Sequence, residues 1–148
     1  MDSNLDVSIF QIDLAHKDKE QNLNLIDKLS DHISSSDILL LPEMFNTSFI
    51  TNDISIAEEM DGPTMRWMKN LAKKKSASVV GTILIKEDEL YYNRLLWVNK
   101  NGGVQYYDKS HLFSLAKEDK YITKGKNKII VNENGFNICP LICYDIRF

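Results

Sequence analysis

The run Ser34-Ser35-Ser36-Asp37 followed by Ile38-Leu39-Leu40-Leu41 constrains the fold more than any other part of this chain. Four consecutive aliphatic residues bounded by turn formers read as a short strand buried on both faces, the pattern of a parallel sheet. What precedes them agrees. Val7-Ser8-Ile9-Phe10-Gln11-Ile12 reads as a first strand, and between about Asp18 and Ile33 the residues Leu23, Ile26, Leu29 and Ile33 recur at helical spacing, with Leu25 widening the stripe. Strand, amphipathic helix and apolar strand make a βαβ unit, which commits the chain to an α/β sheet covered by helix on at least one face.

Downstream the pattern changes. Gly62-Pro63-Thr64 marks the start of a second helix, with Met65, Met68, Leu71 and Ala72 as its apolar face, read as core filling. Ser78 to Ile85 and Tyr91 to Val98 read as strands, and Asn99-Lys100-Asn101-Gly102-Gly103 turns the chain into Val104–Tyr107. Lys128–Val131 and Phe136–Cys143, joined by Asn132-Glu133-Asn134-Gly135, read as a further hairpin. The chain thus reads as two helices and about seven strands, and hairpins after a βαβ start predict a mixed sheet whose second face needs cover. The 148 residues suit one domain.

Charge narrows the function classes. Lys and Arg number 18 against 21 Asp and Glu, a formal net charge of -3, which argues against a nucleic-acid partner. The basic run Lys73-Lys74-Lys75 reads as a solvated helix end. No apolar run is long enough to span a bilayer, and Met1 to Asp6 lacks the basic-then-apolar pattern of a signal peptide, so a cytoplasmic protein with no membrane partner is expected. Cys139 and Cys143, on one extended strand, would have Cα atoms about 13 Å apart. A disulfide tolerates about 7 Å, so both are expected to be free thiols.

Three places carry candidate chemistry. In Leu41-Pro42-Glu43-Met44-Phe45, a carboxylate follows the end of a buried strand, where open α/β sheets bind ligands. In Tyr106-Tyr107-Asp108-Lys109-Ser110-His111-Leu112-Phe113, a lysine leaves a strand among apolar groups that could hold its ammonium fixed. In Ile138-Cys139-Pro140-Leu141-Ile142-Cys143-Tyr144-Asp145, an apolar strand delivers Cys143 into a polar segment, as at a nucleophile elbow; Cys139 reads as an inert cysteine buried within that strand. If the three strands are neighbours, an acid, a cation and a thiol converge on one edge, the set that nucleophilic acyl transfer requires.

LLPEMFNTSF around Glu43, YNR at Tyr92-Asn93-Arg94, YDKSHLF around Lys109 and ICYDIRF around Cys143 resemble the nitrilase, or carbon–nitrogen hydrolase, superfamily, and within it the ω-amidase-like branch. The opening segment VSIFQIDLAHKDKEQNL is similar too, and the three catalytic blocks stand in order, 66 and 34 residues apart. The resemblance implies a nitrilase-type α-β-β-α sandwich, with residues 1–148 a carbon–nitrogen hydrolase domain incomplete at its C-terminus. It implies a Glu43-Lys109-Cys143 triad that hydrolyses a small amide, such as the ω-amide 2-oxoglutaramate, through a thioester and without cofactor or metal. The backbone N–H of Tyr144 would join Lys109 on the oxyanion. Glu118 would position the lysine or the substrate, and the family's habit implies a homo-oligomer. Arg147 could bind a substrate carboxylate, though a structural ion pair is the plainer expectation, and Asn93-Arg94 read as structural. Two rival readings stay open: a Cys–His hydrolase with His111 as base, and a non-catalytic half-fold acting as a binding module.

Overall fold

The computed structural model describes residues 4–148; Met1, Asp2 and Ser3, part of the segment read above for a leader, lie outside the described residues. A mixed sheet of five strands is built in the order β1 (Val7–Ile9), β2 (Ile38–Leu40), β3 (Ser78–Glu87), β4 (Leu90–Val98) and β5 (Val104–Asp108). The first three are parallel, and β3–β4–β5 form an antiparallel meander. Because β4 reverses the chain once and β5 reverses it again, β2, β3 and β5 all run the same way. A separate hairpin, β6 (Val131–Glu133) and β7 (Phe136–Ile138), follows.

The helices α1 (Lys19–Ser30) and α2 (Pro63–Lys75) cover one face. Asp18 caps α1 by accepting the N–H of Gln21 at 2.9 Å, and Pro63 enters α2 in its first turn, where no N–H is needed. Met65, Met68, Leu71 and Ala72 are buried with Ile26 against Leu39, Val79, Ile83 and Leu96 of the sheet. Each of these Met and Leu side chains contributes about 1.5–3 kcal/mol by leaving water. The basic run is the last turn of α2, as expected: Lys75 donates to the carbonyls of Ser30 and Ile33, 2.7 Å each, satisfying the end of α1.

The opposite face carries Ile38, Val80, Leu95, Trp97 and Tyr107, packed by Val131 and Ile142. Its cover is partial. Leu40 is 36% exposed, so β2 is not buried on both faces as its sequence suggested. Two further expectations fail at the second hairpin. The strand expected to run from Phe136 to Cys143 ends at Ile138, because Pro140 has no N–H to give a ladder. Cys139 therefore lies outside the strand and is exposed, not buried. Among the described residues, no helix is long and apolar enough to cross a membrane.

Candidate active site

Three segments meet beyond the ends of β2 and β5, on the face away from the helices. β2 and β5 are not neighbours, since β3 and β4 lie between them, and they leave the sheet at different heights: Leu40 pairs with Val80, whereas Asp108 pairs with Arg94, which faces Ile83. The loop carrying Glu43 makes up the difference by climbing β3. Leu41 donates to the Val80 carbonyl (2.7 Å), Met44 to Thr82 Oγ1 (2.8 Å) and Phe45 to the Thr82 carbonyl (3.1 Å). Gly81 makes that close approach possible, for a Cβ there would stand 2.7 Å from the Phe45 ring and 2.8 Å from Leu41 Cβ. At the other side, Lys109 extends β5 by donating its N–H to the Asn93 carbonyl (3.0 Å) and accepting from Gly125 (2.8 Å). Gly125 too is required, because a Cβ would lie 2.0 Å from the Asp108 carbonyl oxygen.

Lys109 is the centre of the site. Its side chain is 0% exposed, and Nζ donates to Glu43 Oε1 at 2.8 Å and to Glu118 Oε2 at 2.9 Å. Burial works against the ammonium, but Glu43 and then Glu118 outweigh it, and the pKa of Lys109 stands above its ordinary value. Glu118 is itself fully buried and accepts the N–H of Phe113 at 2.7 Å. Asn93 joins the two acids, with Nδ2 2.8 Å from Glu43 Oε1 and 3.0 Å from Glu118 Oε1. Glu43 thus receives both of its donors on Oε1, and among the described residues Oε2 has no hydrogen-bonded partner from a nitrogen or hydroxyl group.

Cys143 is delivered by a non-strand segment and opens a 3-10 turn, Cys143–Arg147, with φ 45, the left-handed region that a cysteine rarely adopts. The residue is exposed, yet partial desolvation pushes its thiol pKa up, Glu43 raises it further by charge and hydrogen bonding, and Lys109 pulls it back. The three candidate side chains are therefore brought together. Tyr144 follows at once; its N–H donates to no carbonyl or side chain among the described residues, and its ring rests 5.2 Å from that of Phe113.

The remaining expectations divide. Glu118 is part of the site. Asn93 was read as structural, and its structural role falls at the site: its side chain links both acids. The signal was an amide in the middle of the otherwise apolar and aromatic run Leu90–Val98, where a buried polar group needs a partner. Arg94 is structural, with a 1% exposed side chain held by Asp108 (2.7 and 3.0 Å) and Glu87 (2.8 Å) and stacked 4.0 Å from the Tyr106 ring. Arg147 was expected in an ion pair; among the described residues it has none and lies 5.7 Å over the Tyr144 ring. His111 is turned into Asp145, with Nδ1 2.9 Å from Oδ1. Among the described residues no group of three His, Cys, Asp or Glu side chains could hold a metal ion.

A mixed sheet backed by two helices, with an acid, a buried ammonium and a left-handed cysteine at one rim, defines an α/β protein with a candidate active site. The chain belongs to the carbon–nitrogen hydrolase family, whose model matches residues 6–148. It is 33% identical over 144 residues to the ω-amidase YafV of Escherichia coli, covering 97% of this chain and 56% of that protein. It is 31% identical over 149 residues to the 2-oxoglutaramate amidase of Bacillus subtilis, covering 96% and 56%. The crystal structure of a CN-hydrolase superfamily protein from Xanthomonas campestris, with an arsenic adduct in its active site, superposes with a TM-score of 0.94 at 34% identity, covering 97% of this chain and 55% of that one. The chain spans about half the length of the curated relatives it matches.

Proposed function

We propose that this protein is an amidase that hydrolyses the C–N bond of a small carboxamide, an ω-amide of a dicarboxylic acid such as 2-oxoglutaramate, through a cysteine thioester. The observation that carries the reading is the Lys109 ammonium buried between Glu43 and Glu118, with Glu43 acting by charge and hydrogen bonding on the Cys143 thiol. The relatives named ω-amidase and 2-oxoglutaramate amidase supply the substrate class.

The chemistry follows from those placements. Glu43 takes the thiol proton, and the sulfur attacks the amide carbonyl. Negative charge develops on the carbonyl oxygen, where Lys109 and the N–H of Tyr144 stabilise it. The C–N bond breaks as Glu43 returns the proton to the leaving nitrogen, giving ammonia and a Cys143 thioester. Water, deprotonated by Glu43, then attacks the thioester; the acid leaves and the thiol is restored. Residues 1–148 belong to a carbon–nitrogen hydrolase domain that the longer relatives extend. In the same reading the enzyme works in the reducing cytoplasm, where Cys139 and Cys143 stay free, as a homo-oligomer with no nucleic-acid partner.

Incubation of the purified protein with 2-oxoglutaramate is expected to release ammonia and to show an acyl adduct on Cys143 by intact mass. Glu43→Gln is expected to abolish turnover and His111→Ala to leave most of it. The reverse order of losses would favour His111 as the base, and no adduct on a folded sample would favour a non-catalytic module.

A further inference from the structure

Asp145 takes no part in the chemistry above, yet it is one of the most heavily bonded side chains of the protein. It is buried, and both oxygens accept two hydrogen bonds. Oδ2 takes the Tyr107 hydroxyl at 2.7 Å and the Ile142 N–H at 3.1 Å; Oδ1 takes the His111 N–H at 2.8 Å and His111 Nδ1 at 2.9 Å. The positions of these partners matter more than their number. Ile142 and Asp145 lie on either side of Cys143, and Tyr107 and His111 each lie two residues from Lys109. One carboxylate therefore ties both flanks of the thiol to both flanks of the ammonium. Tyr107 is anchored in turn, for its hydroxyl also accepts the N–H of Ser110 at 3.2 Å. The His111 ring is stacked on Phe148, 4.0 Å away and nearly parallel.

We propose that Asp145 is a positioning residue that holds Cys143 in its left-handed conformation and in register with Lys109. A cysteine at φ 45 is strained, and such a conformation persists only where its surroundings over-determine it. The bond from Ile142 to Asp145 closes the chain across Cys143 and keeps the turn from relaxing. The bonds to Tyr107 and His111 fix where that turn sits. Released from them, residue 143 relaxes toward the right-handed region and its Sγ swings away from Glu43. The role rests on the amidase reading only for what the thiol is used for; the placement of the thiol can be tested without substrate.

The test is Asp145→Asn. The variant keeps the shape, but either orientation of the amide points its NH2 at a backbone N–H, of His111 or of Ile142, that can only donate. The readout is the rate of Cys143 alkylation by iodoacetamide against pH, with Cys139 replaced by Ser. In the parent, burial and Glu43 hold the thiol high. In Asp145→Asn the alkylation midpoint is expected to fall toward that of an ordinary cysteine, and kcat on 2-oxoglutaramate to fall about 100-fold with KM within threefold. Tyr107→Phe removes one donor without a clash; a smaller shift in the same direction is expected, and adding it to Asp145→Asn is expected to change nothing further. A lowered melting temperature with unchanged alkylation midpoints in both variants overturns the proposal. A shifted midpoint in a protein whose parent turns over no amide would sink the amidase reading and leave the positioning role intact.

Discussion

Replacing Lys109 by Met strikes the site at its electrostatic centre. In the parent, Nζ lies 2.8 Å from Glu43 and 2.9 Å from Glu118. At an effective dielectric of about 20, each attraction is worth about 6 kcal/mol. Taking the ammonium and a fully buried carboxylate out of water offsets most of that, so the intact trio contributes little net stability. The loss on mutation is not that small net figure. Methionine leaves the Glu118 carboxyl buried, with only Asn93 and the Phe113 N–H as donors, and removes the ammonium that separates it from Glu43. Removing one partner of a buried pair costs about 3–5 kcal/mol. For a domain of this size that lowers Tm by about 10–15 °C. Urea is the right denaturant for the measurement because, being uncharged, it does not screen the charges. The double variant Lys109→Met/Glu118→Gln removes the orphaned charge as well and is expected to recover about 2–3 kcal/mol, while both variants stay inactive. A single variant within about 1 kcal/mol of the parent, or a double variant no more stable than the single, would refute the account of Lys109 as the shared counter-charge.

Other perturbations test separate parts of the structure. Because burial and then Glu43 raise the Cys143 thiol above its ordinary 9.0, the protonated form is favoured by folding; that contribution is full below 9.0 and is lost as pH rises through the folded value. Iodoacetamide labelling of the native protein should accordingly have a higher pH midpoint than labelling of the urea-unfolded chain, and the opposite order would contradict the thiol's placement. Gly81→Ala puts a methyl against Phe45 and Leu41, which flank Glu43. A loss of about 1–3 kcal/mol in urea is expected, with a fall in turnover larger than the stability loss explains. Arg94→Lys gives up the two-pronged contact with Asp108 and the stacking on Tyr106; about 2–3 kcal/mol should be lost by the same assay, with kcat little changed in the folded fraction.

Local pattern announced the elements that local pattern builds. β3 and β4 were readable to within two residues because long apolar runs bounded by turns have few alternatives, and α2 because Pro63 and the Met65–Ala72 stripe agree. The Glu43, Lys109 and Cys143 segments were legible as candidates from their places at the ends of apolar runs. What failed depended on distant parts of the chain. Whether Leu40 is covered depends on what packs over the second face, and no residue near it in sequence carries that information. The end of β7 was misread because Leu141-Ile142 looks like strand, whereas Pro140 and the pull of Asp145 on the Ile142 N–H bend the chain away. Asn93 was missed because its partners are 50 and 25 residues distant and enter from a loop and from a short 3-10 turn.

The charges at the site also bear on the reaction proposed for Cys143. Two carboxylates share one ammonium, so with all three ionised the trio carries a net charge of -1 before the cysteine is counted. A thiolate added to that set would meet net repulsion, and the thiol pKa is accordingly held high, with Lys109 too engaged by the acids to reverse it. In the proposed reaction Glu43 accepts the thiol proton, so negative charge moves from the carboxylate to sulfur and then to the carbonyl oxygen, and the total stays constant throughout. A buried environment opposes the creation of charge far more than its transfer over a few ångströms. On that reading Glu43, held by Lys109, supports the proton transfer, and the rigidity of the turn at Cys143 matters as much as the identity of the acid.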